Sequence, residues 1–183
     1  MKYVVLGSDS DICKAFIKSL PNNHEIVRIS RSCKSDIQID WSKGYVPFNS
    51  EEKLKLSNWD ILISFIGSQE PFGKIDTLNP LNIIQGISVN FSYQFASLSE
   101  LLKIRRKDKQ VKVILFAGGG TNSAPKDYSV YITSKIGLIK LTELIDSEFN
   151  NVNPTIIGPG WVKTKIHQPT IVEGEKKSPK SFY

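Results

Sequence analysis

Apolar residues along the chain fall in short runs that alternate with longer stretches of helical period. Tyr3-Val4-Val5-Leu6 is closed by Gly7, the pattern of a strand buried on both faces. Ser10 is placed to cap a helix that runs to Leu20 and stops at Pro21. Residues 25–29 read as a second strand and residues 37–40 as a third. Asn49 and Glu52, at capping-box spacing, open a short helix. Residues 61–66 form a fourth strand that again ends at a glycine. Asn79-Pro80 then opens a long helical region, with proline in the first turn, where its missing N–H is harmless. Its apolar positions Val89, Phe91, Phe95, Leu98, Leu101 and Leu102 approximate one helical stripe.

Residues 112–116 are a fifth strand running into Ala117-Gly118-Gly119-Gly120. Asp127 is placed to cap a helix that continues past Leu141 to about Glu148. A sixth strand, 154–157, precedes Gly158-Pro159-Gly160. Strands alternating with helices imply an α/β fold, with a doubly wound parallel sheet of about six strands and right-handed crossovers. Beyond Gln168 the pattern fades into polar residues, so the expectation is one domain over 1–168 and a flexible polar tail over 169–183.

Composition narrows the class. With 40% hydrophobic and 23% charged residues, the chain has an ordinary globular mix, which excludes wholesale disorder. No apolar run approaches the roughly 20 residues of a membrane span. The apolar start meets Gly7 and two aspartates too soon for a signal peptide. Cys13 and Cys33 are the two cysteines, too few for a disulfide framework or zinc knuckle, so a reducing cytoplasm is expected. The net charge of +6 raises the question of nucleic acid. One basic cluster (Lys103, Arg105, Arg106, Lys107, Lys109 and Lys112) lies where the long helical pattern ends, and there cations complement the helix dipole. A second lies toward the end, with Lys163, Lys165, Lys176, Lys177 and Lys180. Nucleic acid is therefore not the expected partner, and a polyanion-binding module is a third-ranked alternative.

In such a sheet the ligand site lies at the carboxyl ends of the strands. Those ends carry Gly7, Arg31, Asp40, Gly67, the triple glycine and Pro159-Gly160. Glycine lets backbone approach a ligand, and a helix N-terminus offers N–H groups to a phosphate, so the set favours nucleotide binding. Tyr131 and Lys135, at i and i+4, leave one helix face a turn apart. A phenol titrating near 10 can work near neutrality only if its anion is stabilised, which a neighbouring ammonium does.

Over residues 1–168 the chain resembles the short-chain dehydrogenase/reductases. The resemblance is carried by Gly7-Ser8-Asp9-Ser10-Asp11-Ile12, Asp40, Ile66-Gly67, Asn90, Tyr131-Ile132-Thr133-Ser134-Lys135 and Pro159-Gly160-Trp161-Val162-Lys163-Thr164, in that order. It implies a Rossmann-like NAD(P)-binding domain and oxidoreductase activity on a small carbonyl, alcohol or sugar-derived substrate. Tyr131 would be the acid/base, and Lys135 would hold the nicotinamide ribose and lower the phenol's pKa. Asn90 would position a water in the proton relay. Asp40 would meet the adenine amine, and Pro159, Gly160, Val162 and Thr164 would line the nicotinamide. Arg31 falls where a guanidinium suits a 2′-phosphate, so NADP is favoured over NAD. The long helix and the Tyr131 helix are the family's usual subunit contacts, so a homo-oligomer is expected.

Three departures stand out. The family's serine after the fifth strand is replaced by Ala117 or Gly118, with Thr121 and Ser123 as the nearby hydroxyls. Asp11 and Cys13 stand at the second and third glycines of the first turn, and Asp9 and Asp11 bring carboxylates to a helix start that a pyrophosphate would share. Family members continue well past the Pro-Gly turn, so here the substrate pocket would lack a wall and the sixth strand would be an exposed edge. The alternative is therefore a degenerate member that binds a dinucleotide or a protein partner without turnover.

Overall fold

The computed structural model describes residues 1–159 and Val162. Strands β1 (Lys2–Leu6), β2 (Glu25–Ser30), β3 (Ile37–Gln38), β4 (Ile61–Ser64), β5 (Val111–Phe116) and β6 (Val152–Ile157) form one sheet in the order β3-β2-β1-β4-β5-β6. Every pairing is parallel. Helices α1 (Asp11–Ser19), α2 (Ser50–Leu56), α3 (Pro80–Ile87), α4 (Tyr93–Lys103) and α5 (Ser129–Glu148) lie between the strands in sequence. The fold is Rossmann-like and doubly wound. Strand order reverses between β1 and β4, which makes the carboxyl end of that pair the topological switch point.

Alternation along β1 sends side chains into two cores. Val4 and Leu6 pack with Ile29, Leu62, Leu98, Leu101 and Leu138 on one face. Tyr3 and Val5 pack with Cys13, Ile63, Phe16 and Ile17 on the other. Cys13 thus fills the α1–sheet contact where a glycine was expected. Burial, then the charge of Asp9, pushes its thiol up to about 12, so it behaves as a small apolar side chain.

The helix starts follow their capping residues. Ser10 Oγ accepts from the Cys13 N–H at 3.0 Å, Asn49 and Glu52 form the reciprocal capping box, and Asn79 Oδ1 accepts from the Leu81 N–H at 2.9 Å.

Four expectations need correcting. Asp127 does not cap α5: it sits at φ 71°, its carbonyl accepts from the Gly73 N–H, and Tyr128 is the cap residue. The third strand ends at Gln38 because Asp40 Oδ1 accepts from the Ser42 N–H and hydroxyl, tying the backbone into a 3₁₀ turn at Trp41–Lys43. The long helix is interrupted by a π turn at Ser88–Ser92, and the fourth strand ends at Ser64.

Three of the six residues in the basic cluster around the end of α4 have internal partners. Arg105 donates to the Leu102 carbonyl and to Asn151 Oδ1 and lies over the Phe149 ring. Arg106 and Lys109 pair with Asp60 Oδ1 at 2.7 and 3.0 Å, while Asp60 Oδ2 accepts from the Lys2 N–H. Strand β6 pairs with β5 on one side, and among the described residues no strand pairs with its other edge. No described helix is long and apolar enough to cross a membrane, and no group of three described His, Cys, Asp or Glu side chains could hold a metal. The expected domain boundary at 168/169 lies outside the described residues.

Candidate functional site

The turn after β1 is the first wall of the crevice. Gly7 adopts φ +75°, and a Cβ on it would lie 3.0 Å from the Ile66 nitrogen, so only glycine lets β1 and the end of β4 approach this closely. The Gly7 and Ser8 N–H groups donate to the Ile29 carbonyl. Ser10 then starts α1, with Asp11 and Ile12 in the first turn, where N–H groups have no intrahelical acceptor. Asp9 Oδ2 accepts from Ser30 Oγ at 2.9 Å, and Ser30 also bonds Ser35. That bond ties the first turn to the end of β2, just before the exposed Arg31. Asp40 caps its own turn through Oδ1, and its carboxyl is held below the usual range, first by the Ser42 hydroxyl.

The second wall comes from the loop after β4. Strand β4 ends at Ser64, Ile66 and Gly67 follow in the loop, and Asn90 holds Ser68 in place. Asn90 Oδ1 accepts from the Ser68 N–H at 2.9 Å, while Nδ2 donates to the Ser68 and Gly86 carbonyls at 2.8 and 2.9 Å. Asn90 is completely buried. Its own carbonyl accepts from Gln94 Nε2 at 2.7 Å, and Gln94 Oε1 accepts from Ser64 Oγ at 2.6 Å. The π turn around Asn90 reshapes the local carbonyl pattern, a frequent feature of functional sites. The side-chain amide of Asn90 is thus taken up by backbone groups of Ser68 and Gly86, and its carbonyl by Gln94.

Helix α5 supplies the two reactive candidates. Lys135 is 2% exposed, and its Nζ donates to the Ile66 carbonyl at 3.1 Å. The Nζ also lies 5.6 Å from the centre of the Tyr131 ring. Burial pulls Lys135 down from 10.5 to about 8. Burial, then the neighbouring Tyr128, pushes the Tyr131 phenol above its ordinary value. The expected lowering of the phenol by the ammonium does not prevail in this arrangement, because Lys135 sits on Ile66 and under the ring face.

Gly118, at the end of β5, is the seat of that ring: a Cβ there would be 3.0 Å from Tyr131 Cζ, 3.1 Å from its oxygen and closer still to Cε1. Gly7, Ile66, Lys135, Tyr131 and Gly118 thus form one contiguous chain of contacts across the ends of β1, β4 and β5. Thr121 Oγ1 donates to the Gly118 carbonyl at 3.3 Å, and Ser123 is exposed. Pro159 and Val162 are exposed beyond β6, and Gly160 and Thr164 lie outside the described residues.

The sequence reading missed Ser64, Gln94, Phe72 and Tyr128. Gln94 is at i+4 from Asn90 and Tyr128 at i−3 from Tyr131, so helical spacing was the available signal for both.

No protein-family model matches the chain, and no curated protein matches it. Solved structures match its fold. The ligand-free aldohexose dehydrogenase of Thermoplasma acidophilum superposes with a TM-score of 0.78 at 17% identity, over 97% of this chain and 73% of that one. A short-chain dehydrogenase family protein from Francisella tularensis gives 0.79 at 16%, over 96% and 75%. The 4-hydroxyisoleucine dehydrogenase in complex with NADH gives 0.75 at 22%, over 96% and 79%. The chain therefore shares the Rossmann-like fold of these solved structures.

Proposed function

We propose that this chain is an NAD(P)-dependent oxidoreductase of the short-chain dehydrogenase/reductase type, acting on a small carbonyl, alcohol or sugar-derived substrate, with NADP preferred. The observation that carries this reading is the buried Lys135 ammonium on the Ile66 carbonyl and under the Tyr131 ring, at the β1/β4 switch point. The surrounding residues fit a dinucleotide. Gly7 leaves no side chain in the crevice, the first turn of α1 faces it, and Ser30 draws the Asp9 carboxylate toward β2.

Gly7, Ser8, Asp9, Ser10, Asp11 and Ile12 would hold the pyrophosphate, Arg31 the 2′-phosphate and Asp40 the adenine. Ile66, Gly67 and Lys135 would face the nicotinamide ribose, with Pro159, Gly160, Val162 and Thr164 at the nicotinamide. In its reduced form the dinucleotide supplies a hydride to the substrate's carbonyl carbon. The chain supplies the proton. Tyr131 gives its phenolic hydrogen to the carbonyl oxygen, completing the alcohol and leaving a phenolate that the Lys135 ammonium stabilises until solvent returns the proton. A phenol kept protonated by burial suits the acid in this direction. Asn90 holds the Ser68 turn in register beneath them.

Calorimetry with NADPH and NADH, paired with turnover of small aldehydes, ketones and aldoses, tests the reading. Tyr131→Phe should lower turnover by about 10²–10⁴-fold and leave dinucleotide binding intact; equal rates for parent and variant would remove it.

The missing side-chain donor at Ala117 and Gly118 favours a second reading, a chain that binds a dinucleotide or a partner without turnover. Binding heat with no turnover across the panel selects it. Exposed Phe95 on α4 and Ile136 and Leu144 on α5 support self-association through these helices, which light scattering checks.

A further inference from the structure

The three glycines of Ala117-Gly118-Gly119-Gly120 are not equivalent. Gly120 adopts φ +91°, and a Cβ on it would lie 2.9 Å from Pro125 Cγ, so both its backbone and its packing call for glycine. Gly118 and Gly119 make no such demand on φ. Nothing stands within 4 Å of where a Cβ on Gly119 would be, so alanine fits there. At Gly118 the three nearest atoms to such a Cβ all belong to Tyr131: Cζ at 3.0 Å, the phenolic oxygen at 3.1 Å, and Cε1 closer still.

A position that had merely lost a side chain would leave a hole at the end of β5. Here the space is filled, and the group that fills it is the one that carries the proton. The backbone beneath the ring is anchored on both sides of the contact. The Ala117 N–H donates to the Ile157 carbonyl at 2.9 Å, and Thr121 Oγ1 donates to the Gly118 carbonyl at 3.3 Å. The ring, as the far end of a side chain, is the partner able to yield. Unstrained contact between carbons needs about 3.5–4.0 Å, so a side chain at 118 would push the ring back by about 0.5 Å or more. The phenolic oxygen would move with it. Lys135, buried and bonded to the Ile66 carbonyl, would stay where it is. The phenol would then lose its register with both the ammonium and the reacting oxygen.

We propose that Gly118 is the positioning residue of Tyr131: its bare backbone seats the phenol at the end of β5, and any side chain there, a serine with its own hydroxyl included, displaces the phenol and slows reduction. The proposal rests on the oxidoreductase reading above. It also reverses the expectation drawn from the family's serine. Restoring that hydroxyl at residue 118 should not repair the site, because the ring and the serine compete for one space.

The test compares the parent chain with Gly118→Ala, Gly118→Ser, Gly119→Ala, Tyr131→Phe and the double variant Gly118→Ala/Tyr131→Phe, using NADPH and the panel of small aldehydes, ketones and aldoses. Gly118→Ala and Gly118→Ser should each lower kcat by about 10–100-fold, with the NADPH dissociation constant within about twofold of the parent. Gly119→Ala should keep the parent rate. In the Tyr131→Phe background, Gly118→Ala should cost nothing more, since no hydroxyl is left to misplace; a merely structural defect would lower the residual rate again. Gly118→Ala or Gly118→Ser at or above the parent rate, while Tyr131→Phe is slow, overturns the proposal and leaves the oxidoreductase reading standing. Equal losses in Gly118→Ala and Gly119→Ala, or an additive loss in the double variant, overturn it too. So does a Gly118→Ala chain that no longer folds in urea titration, since the backbone rather than the ring would then have yielded. A parent that reduces nothing, or a Tyr131→Phe variant as fast as the parent, removes the oxidoreductase reading and the proposal together.

Discussion

Lys135 should make this protein less stable than it could be, and replacing it with methionine should show how much. Its ammonium is 2% exposed, and its one protein hydrogen-bond acceptor among the described residues is a neutral carbonyl, that of Ile66. An unfolded chain holds the lysine proton up to its ordinary 10.5, whereas the folded chain gives it up at about 8. Between those values the unfolded state binds more protons, so stability rises with pH. Below pH 8 the folded state carries the full penalty of the buried charge, about 3 kcal/mol for that gap in pKa. Lys135→Met keeps a flexible apolar stem and removes the charge, so near pH 7 it should unfold at higher urea, by about 1–3 kcal/mol once relaxation is counted. The advantage should shrink as pH rises through 8 and vanish near 10.5. Paired urea titrations of parent and variant from pH 7 to 10.5 measure the difference directly, because groups common to both cancel. A variant less stable than the parent at pH 7, or a difference that does not move with pH, would refute the reasoning.

Two further substitutions probe the frame around the site. Asn90→Leu removes three hydrogen bonds, two part-buried to Ser68 and one buried to Gly86, and should cost about 2–4 kcal/mol in urea unfolding, with a change under about 0.5 counting against the clamp. Asp60→Asn at the opposite end of the sheet should cost about 2 kcal/mol, less than a fully buried pair because Arg106 and Lys109 are 33% and 50% exposed. Burial alone would raise the Asp60 carboxyl, but the Lys2 N–H and the two cations hold it below its ordinary 3.8. Its contribution is therefore present above pH 3.8 and lost as pH falls through the lowered value, so parent and variant should converge in acid.

The chain's period revealed the sheet because each strand is a short apolar run, and strands buried on both faces leave that mark whatever their neighbours. Ser10, Asn49 and Asn79 were readable as caps because a short polar side chain before a helical run has one local use. Asp127 has the same chemistry but a positive φ imposed by its bond to Gly73, a residue 54 positions away, and no local pattern carries that information. The π turn was hidden for a related reason: one added residue shifts a stripe by a fraction of a turn, within the slack of the pattern around Val89 and Phe91. At the site, the i, i+4 spacing exposed Tyr131 and Lys135. The filling of Gly118 by the Tyr131 ring was invisible, since it depends on how β5 and α5 approach.

The distribution of costs separates the two functional readings better than the motifs do. At the amino edge of the sheet the buried Asp60 is matched by two cations and a backbone N–H, as a purely structural charge requires. At the carboxyl edge, within the reach of a few side chains, stand a buried ammonium with only neutral protein partners among the described residues, a π turn, a residue at positive φ and a tyrosine ring in the place of a side chain. Asn58 at the amino edge is also at positive φ, but the buried charge with no counter-ion among the described residues lies at the carboxyl edge, and that weighs toward a functional site there. A chain that merely docked a partner would gain stability by losing the Lys135 charge. A reductase could not, because the phenolate formed when Tyr131 gives up its proton needs that charge beside it. The burial of Lys135 therefore weighs toward catalysis, and the stability gained by Lys135→Met should come with the loss of turnover.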